Sequence, residues 1–135
     1  MTLTDTGPLV ALVDSGEKAH LQCTTLLPQL SPPLVSTWPC LTEALYLLGK
    51  SGGYPFQKAL WLLYLSGVLV IHEQNSLDAD RMQVLMEKYR DAPMDLADAS
   101  LVAAAETLGV QSIFTLDKHF YAYRLANGQA FTVVP

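Results

Sequence analysis

Short apolar runs rich in β-branched residues return along this chain, and a helix-like segment separates each from the next. Leu34-Val35-Ser36-Thr37, Val68-Leu69-Val70-Ile71 and Ser112-Ile113-Phe114-Thr115-Leu116 are the clearest of them. A strand covered on both faces loses its inside–outside alternation and reads as such a run. Strands that alternate with helices predict an α/β fold, here a central, mainly parallel sheet of about five strands flanked by helices. At 135 residues, 50% of them apolar and 16% charged, the chain fits a single domain spanning 1–135 with one real core.

Taken in order, Met1 to Thr4 is short and β-compatible, and Asp5 ends it. Thr6-Gly7-Pro8 leads into a helix through Leu9 to Val13, with Pro8 tolerated in the first turn. Glu17 to Leu30 reads as a second helix, broken by Ser31-Pro32-Pro33. After the strand at Leu34, Trp38 to Leu48 forms a third helix with Pro39 near its start. Ser51-Gly52-Gly53 reads as a loop and Tyr54 to Leu65 as an apolar fourth helix. Ser76 to Arg90 follows the strand at Val68, with Leu77, Val84, Leu85 and Tyr89 expected inward and Asp78, Asp80, Arg81, Glu87 and Lys88 solvated. Asp95 is a good N-cap, with Asp98 at the third helical position, for the helix Leu96 to Leu108 that Gly109 ends. Phe120 to Leu125 is read as a short helix, and Ala130 to Val134 as a last, edge strand.

Charge and cysteine content exclude several classes of function. The net charge of −5 gives no general attraction to nucleic acid, so a polyanionic substrate would need metal ions or a local basic patch. Cys23 and Cys40 have neither the number nor the spacing of a disulfide framework or zinc site, and read as packed thiols. His20 and His72 lack partners at metal-ligand spacing. There is no signal-peptide pattern, and the run from Ala59 to Ile71 is too short to span a bilayer, so a soluble cytoplasmic protein is expected. The Walker, GxGxxG and GxSxG motifs are absent.

What remains is a set of acids at the ends of elements. Asp5 and Asp117 follow strands, while Glu43 and Asp98 lie in the first turns of helices. Asp5 could equally cap the helix after it. Glu43 stands among apolar residues, where burial would cost several kcal/mol without a cation or donors. All four could converge on the carboxyl edge of one sheet, where open α/β sheets place ligands. Like charges held together persist only if protons or cations neutralise them. Hard divalent ions with oxygen ligands suit such a cluster, and they suit phosphodiester cleavage.

Leu3-Thr4-Asp5-Thr6-Gly7-Pro8-Leu9-Val10-Ala11 and Leu41-Thr42-Glu43-Ala44 open one resemblance. Met94-Asp95-Leu96-Ala97-Asp98-Ala99-Ser100-Leu101-Val102 and Ile113-Phe114-Thr115-Leu116-Asp117-Lys118-His119-Phe120 complete it. In that order, and over essentially the whole chain, the sequence resembles PIN-domain proteins, the group that includes the toxin ribonucleases of VapBC toxin–antitoxin modules. The resemblance implies that Asp5, Glu43, Asp98 and Asp117 form an acidic quartet holding Mg²⁺ or Mn²⁺ for RNA hydrolysis. It makes Thr6 and Thr115 polar helpers near the metal, while Asp95 matches a small polar position and is favoured here as a cap. Lys118, Arg124 and Lys50 are candidates for phosphate contacts, each with a solvated-face reading beside it.

The leading expectation is therefore a metal-dependent endoribonuclease, the toxin neutralised by a small antitoxin protein. The apolar faces around Leu45, Leu47, Trp61 and Tyr64 could serve a homodimer or the antitoxin, and core packing explains them equally well. One alternative is a catalytically silent PIN-like binding module whose acids bind metal or are structural. A phosphotransfer receiver or phosphatase is disfavoured, because Asp5-Thr6-Gly7 lacks the usual acidic neighbour.

Overall fold

A computed structural model describes residues 1–135. Five parallel strands form one sheet in the order β3-β2-β1-β4-β5. The strands are β1 (Thr2–Thr4), β2 (Leu34–Ser36), β3 (Leu69–Ile71), β4 (Ser112–Phe114) and β5 (Thr132–Val134). Six α-helices connect and cover them: α1 (Thr6–Val13), α2 (His20–Leu26), α3 (Trp38–Gly52), α4 (Tyr54–Leu65), α5 (Ser76–Lys88) and α6 (Leu96–Leu108). The parallel α/β architecture expected from the alternating runs is the one observed, and β5 does lie at an edge.

Two apolar clusters sandwich the sheet. Leu9, Cys23, Leu41, Ala44, Leu48 and Leu60 pack on one face with α1, α2, α3 and α4. Leu85, Leu101, Val102, Ala104, Phe120 and Tyr123 pack on the other with α5 and α6. Helix α6 is the most enclosed of the helices: every residue from Ala97 to Ala105 is buried. Its alanines are small enough to let backbone come close on all sides. Both cysteines are free and buried, as packed thiols should be.

Several boundaries and one face differ from expectation. The region read as one helix from Glu17 splits into α2 and a 3₁₀ turn at Leu27–Gln29, because Pro28 cannot continue the α-helical ladder. Helix α3 runs on through Ser51 and Gly52, so the expected loop shrinks to Gly53, whose φ of 71° lets the chain turn at once into α4. The last short helix is a 3₁₀ turn at Lys118–Tyr121, earlier than predicted. On α5, Leu77 and Val84 are exposed, while Asp78 is buried. The packed face is instead Asp78, Met82, Leu85, Met86 and Tyr89. Asp78 is stable there because Thr107, the Asn75 amide and His72 all contact its carboxylate, at 2.6, 3.1 and 3.3 Å. Those partners outweigh the penalty of burial and hold its pKa below the ordinary carboxylate value.

The topology itself selects a place for chemistry. From β1 the chain proceeds outward through β2 to β3, then crosses back to β4 on the other side of β1. The reversal lies between β1 and β4, and ligands of open α/β sheets bind beyond the carboxyl ends of the strands at that point.

Candidate active site

Asp5 directly follows β1, and Asp117 lies just past β4, so the two acids leave neighbouring strands at the reversal. Asp98 comes to them from the first turn of α6. Ligand atoms of these three aspartates lie within 4.8 Å of one another. A cleft of about 310 Å³ opens over them, lined also by Thr6, Gly7, Glu43, Leu47, Asp95 and Leu116.

Each carboxylate is held by donors. Asp5 Oδ1 accepts from the Thr6 amide at 2.7 Å, so the residue caps α1 as well as lining the cleft. Asp5 Oδ2 accepts from the Thr115 hydroxyl at 2.7 Å, and that hydroxyl oxygen accepts from the Asp117 amide at 3.0 Å. Asp95 caps α6: its Oδ1 accepts from the Asp98 amide at 2.8 Å, and Asp98 Oδ2 reciprocates from the Asp95 amide at 3.5 Å. Asp117 Oδ1 accepts from the His119 amide at 2.9 Å and lies 2.8 Å from His119 Nδ1.

Burial and mutual repulsion show in the proton affinities. Desolvation, opposed by the Thr115 and Thr6 hydrogen bonds and assisted by Asp117 and Glu43, pushes Asp5 up to about 6. Desolvation and the charges of Asp95 and Asp5 push Asp98 up to about 7. No lysine or arginine lines the cleft to offset these charges. An oxygen-only set of closely held carboxylates, with no His or Cys among the clustered atoms, fits a hard divalent cation such as Mg²⁺ or Mn²⁺.

The other expected residues take different places. Glu43 is exposed rather than enclosed by apolar neighbours, and it stands outside the tight group of aspartates. The correction has a simple cause: Ala44, Leu41 and Leu48 fill the buried face of α3, leaving Glu43 on the cleft side. Glu43 still lines the cleft, with the Thr6 hydroxyl 3.4 Å from its Oε2. Lys50, Lys118 and Arg124 do not line the cleft. Lys50 sits 5.5 Å above the Tyr46 ring, and Arg124 spends one guanidinium nitrogen on the Tyr121 and Tyr123 carbonyls, at 2.8 and 2.9 Å. Of the expected apolar face, Leu47 and Tyr64 are exposed, whereas Leu45 and Trp61 pack against the core.

Tyr123 is a site residue that sequence reading missed. Its hydroxyl donates to Asp98 Oδ2 at 3.0 Å. A tyrosine within a segment read as a short helix carries no signal of where its hydroxyl will end.

No family model matches the chain. Ribonuclease VapC26 of Mycobacterium tuberculosis is 27% identical over 134 residues, which cover 98% of this chain and 99% of the relative. Among solved structures, Mycobacterium tuberculosis VapC20, described as a toxin that cleaves the sarcin–ricin loop, superposes with a TM-score of 0.83. Identity is 20%, and the match covers 90% of this chain and 94% of the other. A toxin–antitoxin complex from Klebsiella pneumoniae matches with a TM-score of 0.72 and 21% identity, covering all of this chain (100%) and 97% of its counterpart. The fold is thus the VapC toxin fold, along the full length of the chain.

Proposed function

We propose that this chain is a VapC-like ribonuclease, the toxin of a toxin–antitoxin pair, and that it cleaves RNA with the help of a divalent cation. One observation carries the reading. Three aspartates distant in sequence meet at the topological reversal of the sheet, in a chain similar over its whole length to a ribonuclease.

Asp5, Asp98 and Asp117 would hold the cation, with Glu43 contributing from the rim of the cleft. When bound, such an ion polarises a phosphate and lowers the pKa of an attacking water. Thr115 fixes Asp5 and the Asp117 backbone through one hydroxyl, so two acids keep their spacing without reorganisation. Thr6 orients Glu43 and, through its amide, Asp5. Asp95 starts α6 and thereby sets the direction from which Asp98 enters. Lys118, exposed and next in the chain to Asp117, is the phosphate contact we favour over Lys50 and Arg124, whose cationic ends are engaged elsewhere.

The partner is a small antitoxin protein. Tyr54, Leu62, Tyr64 and Leu65 on α4, and Tyr46 and Leu47 on α3, are large apolar side chains left exposed. Such a surface suits a protein partner, the antitoxin or a second copy of this chain. The gene arrangement tests the pairing: a short reading frame for a DNA-binding protein should adjoin the one for this chain. No helix is long and apolar enough to cross a membrane.

The activity is tested by incubating purified protein with single-stranded RNA under Mg²⁺ or Mn²⁺, and again with excess EDTA. Cleavage that needs the ion supports the reading. Cleavage unaffected by EDTA, or none with either metal, contradicts it and favours a silent binding module.

A further inference from the structure

Tyr123 is among the largest fully buried side chains of the molecule. A buried tyrosine must find a partner for its hydroxyl. Here that partner is a carboxylate of the candidate metal cluster, Asp98 Oδ2 at 3.0 Å. The Asp95 amide is a second donor to the same oxygen, at 3.5 Å. Both anchors fall on Oδ2, so Oδ1 is the Asp98 oxygen left without a protein donor.

The ring that carries this hydroxyl is clamped. Tyr89 meets it edge-on at 5.0 Å and Phe120 at 5.1 Å, and Phe120 is itself braced by Phe131 at 5.6 Å. Edge-to-face packing of this kind leaves the ring a narrow range of orientations. The same short turn begins at Asp117, whose side chain accepts from the His119 amide and so starts the 3₁₀ segment leading to Tyr123. One turn therefore supplies one clustered acid and the anchor of another.

We propose that Tyr123 is a positioning residue: its hydroxyl pins Asp98 Oδ2 and thereby presents Asp98 Oδ1 to the divalent cation. The inference rests on the reading that Asp5, Asp98 and Asp117 hold such an ion. Physically, a carboxylate turns about its last torsion unless one oxygen is tied. Outer hydrogen-bond partners that tie ligands typically change metal affinity by about 10- to 100-fold.

The test measures Mn²⁺ binding to the metal-free protein, by calorimetry or by the spectrum of free Mn²⁺, with no RNA present. Tyr123→Phe keeps the ring and its packing and removes only the hydroxyl. It should bind Mn²⁺ about 10-fold or more weakly than wild type, while melting cooperatively in EDTA. Tyr121→Phe is the control, since it loses the same hydroxyl from the same turn while its side chain is exposed to solvent. Its Mn²⁺ affinity should equal that of wild type. Equal affinity for Tyr123→Phe and wild type overturns the proposal, as does an equal loss in Tyr121→Phe. A Tyr123→Phe protein that no longer melts cooperatively also overturns it, by placing the hydroxyl in service of the fold. If wild type itself binds no Mn²⁺, the metal-centre reading fails with it, an outcome distinct from failure of Tyr123 alone.

Discussion

The Thr115 hydroxyl donates to Asp5 Oδ2 at 2.7 Å although 110 residues separate the two in the chain. The Thr115 hydroxyl oxygen in turn accepts from the Asp117 amide at 3.0 Å, so one buried side chain fixes the ends of two adjacent strands. Thr115→Val keeps the shape and removes both roles. Mn²⁺ affinity should fall by about 10- to 100-fold, and Thr115→Ser should recover most of it. Titration of the two variants checks this; a Val variant indistinguishable from wild type would leave Thr115 a packing residue.

The metal-free protein should be strained by its own acids at neutral pH. Asp98 is raised from an ordinary 3.8 to about 7, chiefly by desolvation. A carboxylate whose folded pKa lies above its unfolded value contributes stability below the unfolded value, and that contribution is lost as pH rises through the folded one. Asp98→Asn removes the charge. In EDTA at pH 8 the variant should be more stable than wild type by about 1–2 kcal/mol, after discounting for water at the cleft. The gap should narrow toward pH 5, and saturating Mn²⁺ should reverse the order. Thermal melts across pH, with and without the ion, read each of these.

Asp78 should behave in the opposite sense. Burial alone would raise its pKa, but Thr107, the Asn75 amide and His72 lower it. Its contribution is present above the ordinary value of 3.8 and lost as pH falls through the lower folded one. Asp78→Asn cannot satisfy all of these partners and should cost about 1–3 kcal/mol at pH 7. Asp78 lines no part of the acidic cleft, so Mn²⁺ affinity should not change. Denaturant unfolding and Mn²⁺ titration of one preparation test both halves.

Much of this arrangement was legible in the residues, because it depends on local signals. Asp95 and Asp98 have the spacing of a reciprocal cap, and the cap forms. Val68 to Ile71 and Ser112 to Leu116 are β-branched or aromatic runs between turn signals, and both hold strands of the sheet. What could not be read depends on partners far away in sequence. Asp78 looked solvated because an acid is costly to bury, and it takes Thr107 on another helix, with the Asn75 amide and His72, to reverse that balance. Glu43 looked buried because its sequence neighbours are apolar, yet the helix turns them toward the core and leaves it on the cleft side. Tyr123 reaches Asp98 across 25 residues through a 3₁₀ turn whose direction no periodicity reports.

The central claim is that Asp98 serves RNA cleavage through a metal held jointly with Asp5 and Asp117. The most direct measurement compares the rate of single-stranded RNA cleavage by wild type and Asp98→Asn at pH 8 in Mn²⁺, on preparations with matched circular dichroism and cooperative melting. Wild type should cleave, and the variant should fall by at least about 100-fold, the loss of roughly 3 kcal/mol of transition-state stabilisation. An Asp98→Asn protein that cleaves at the wild-type rate would contradict the account.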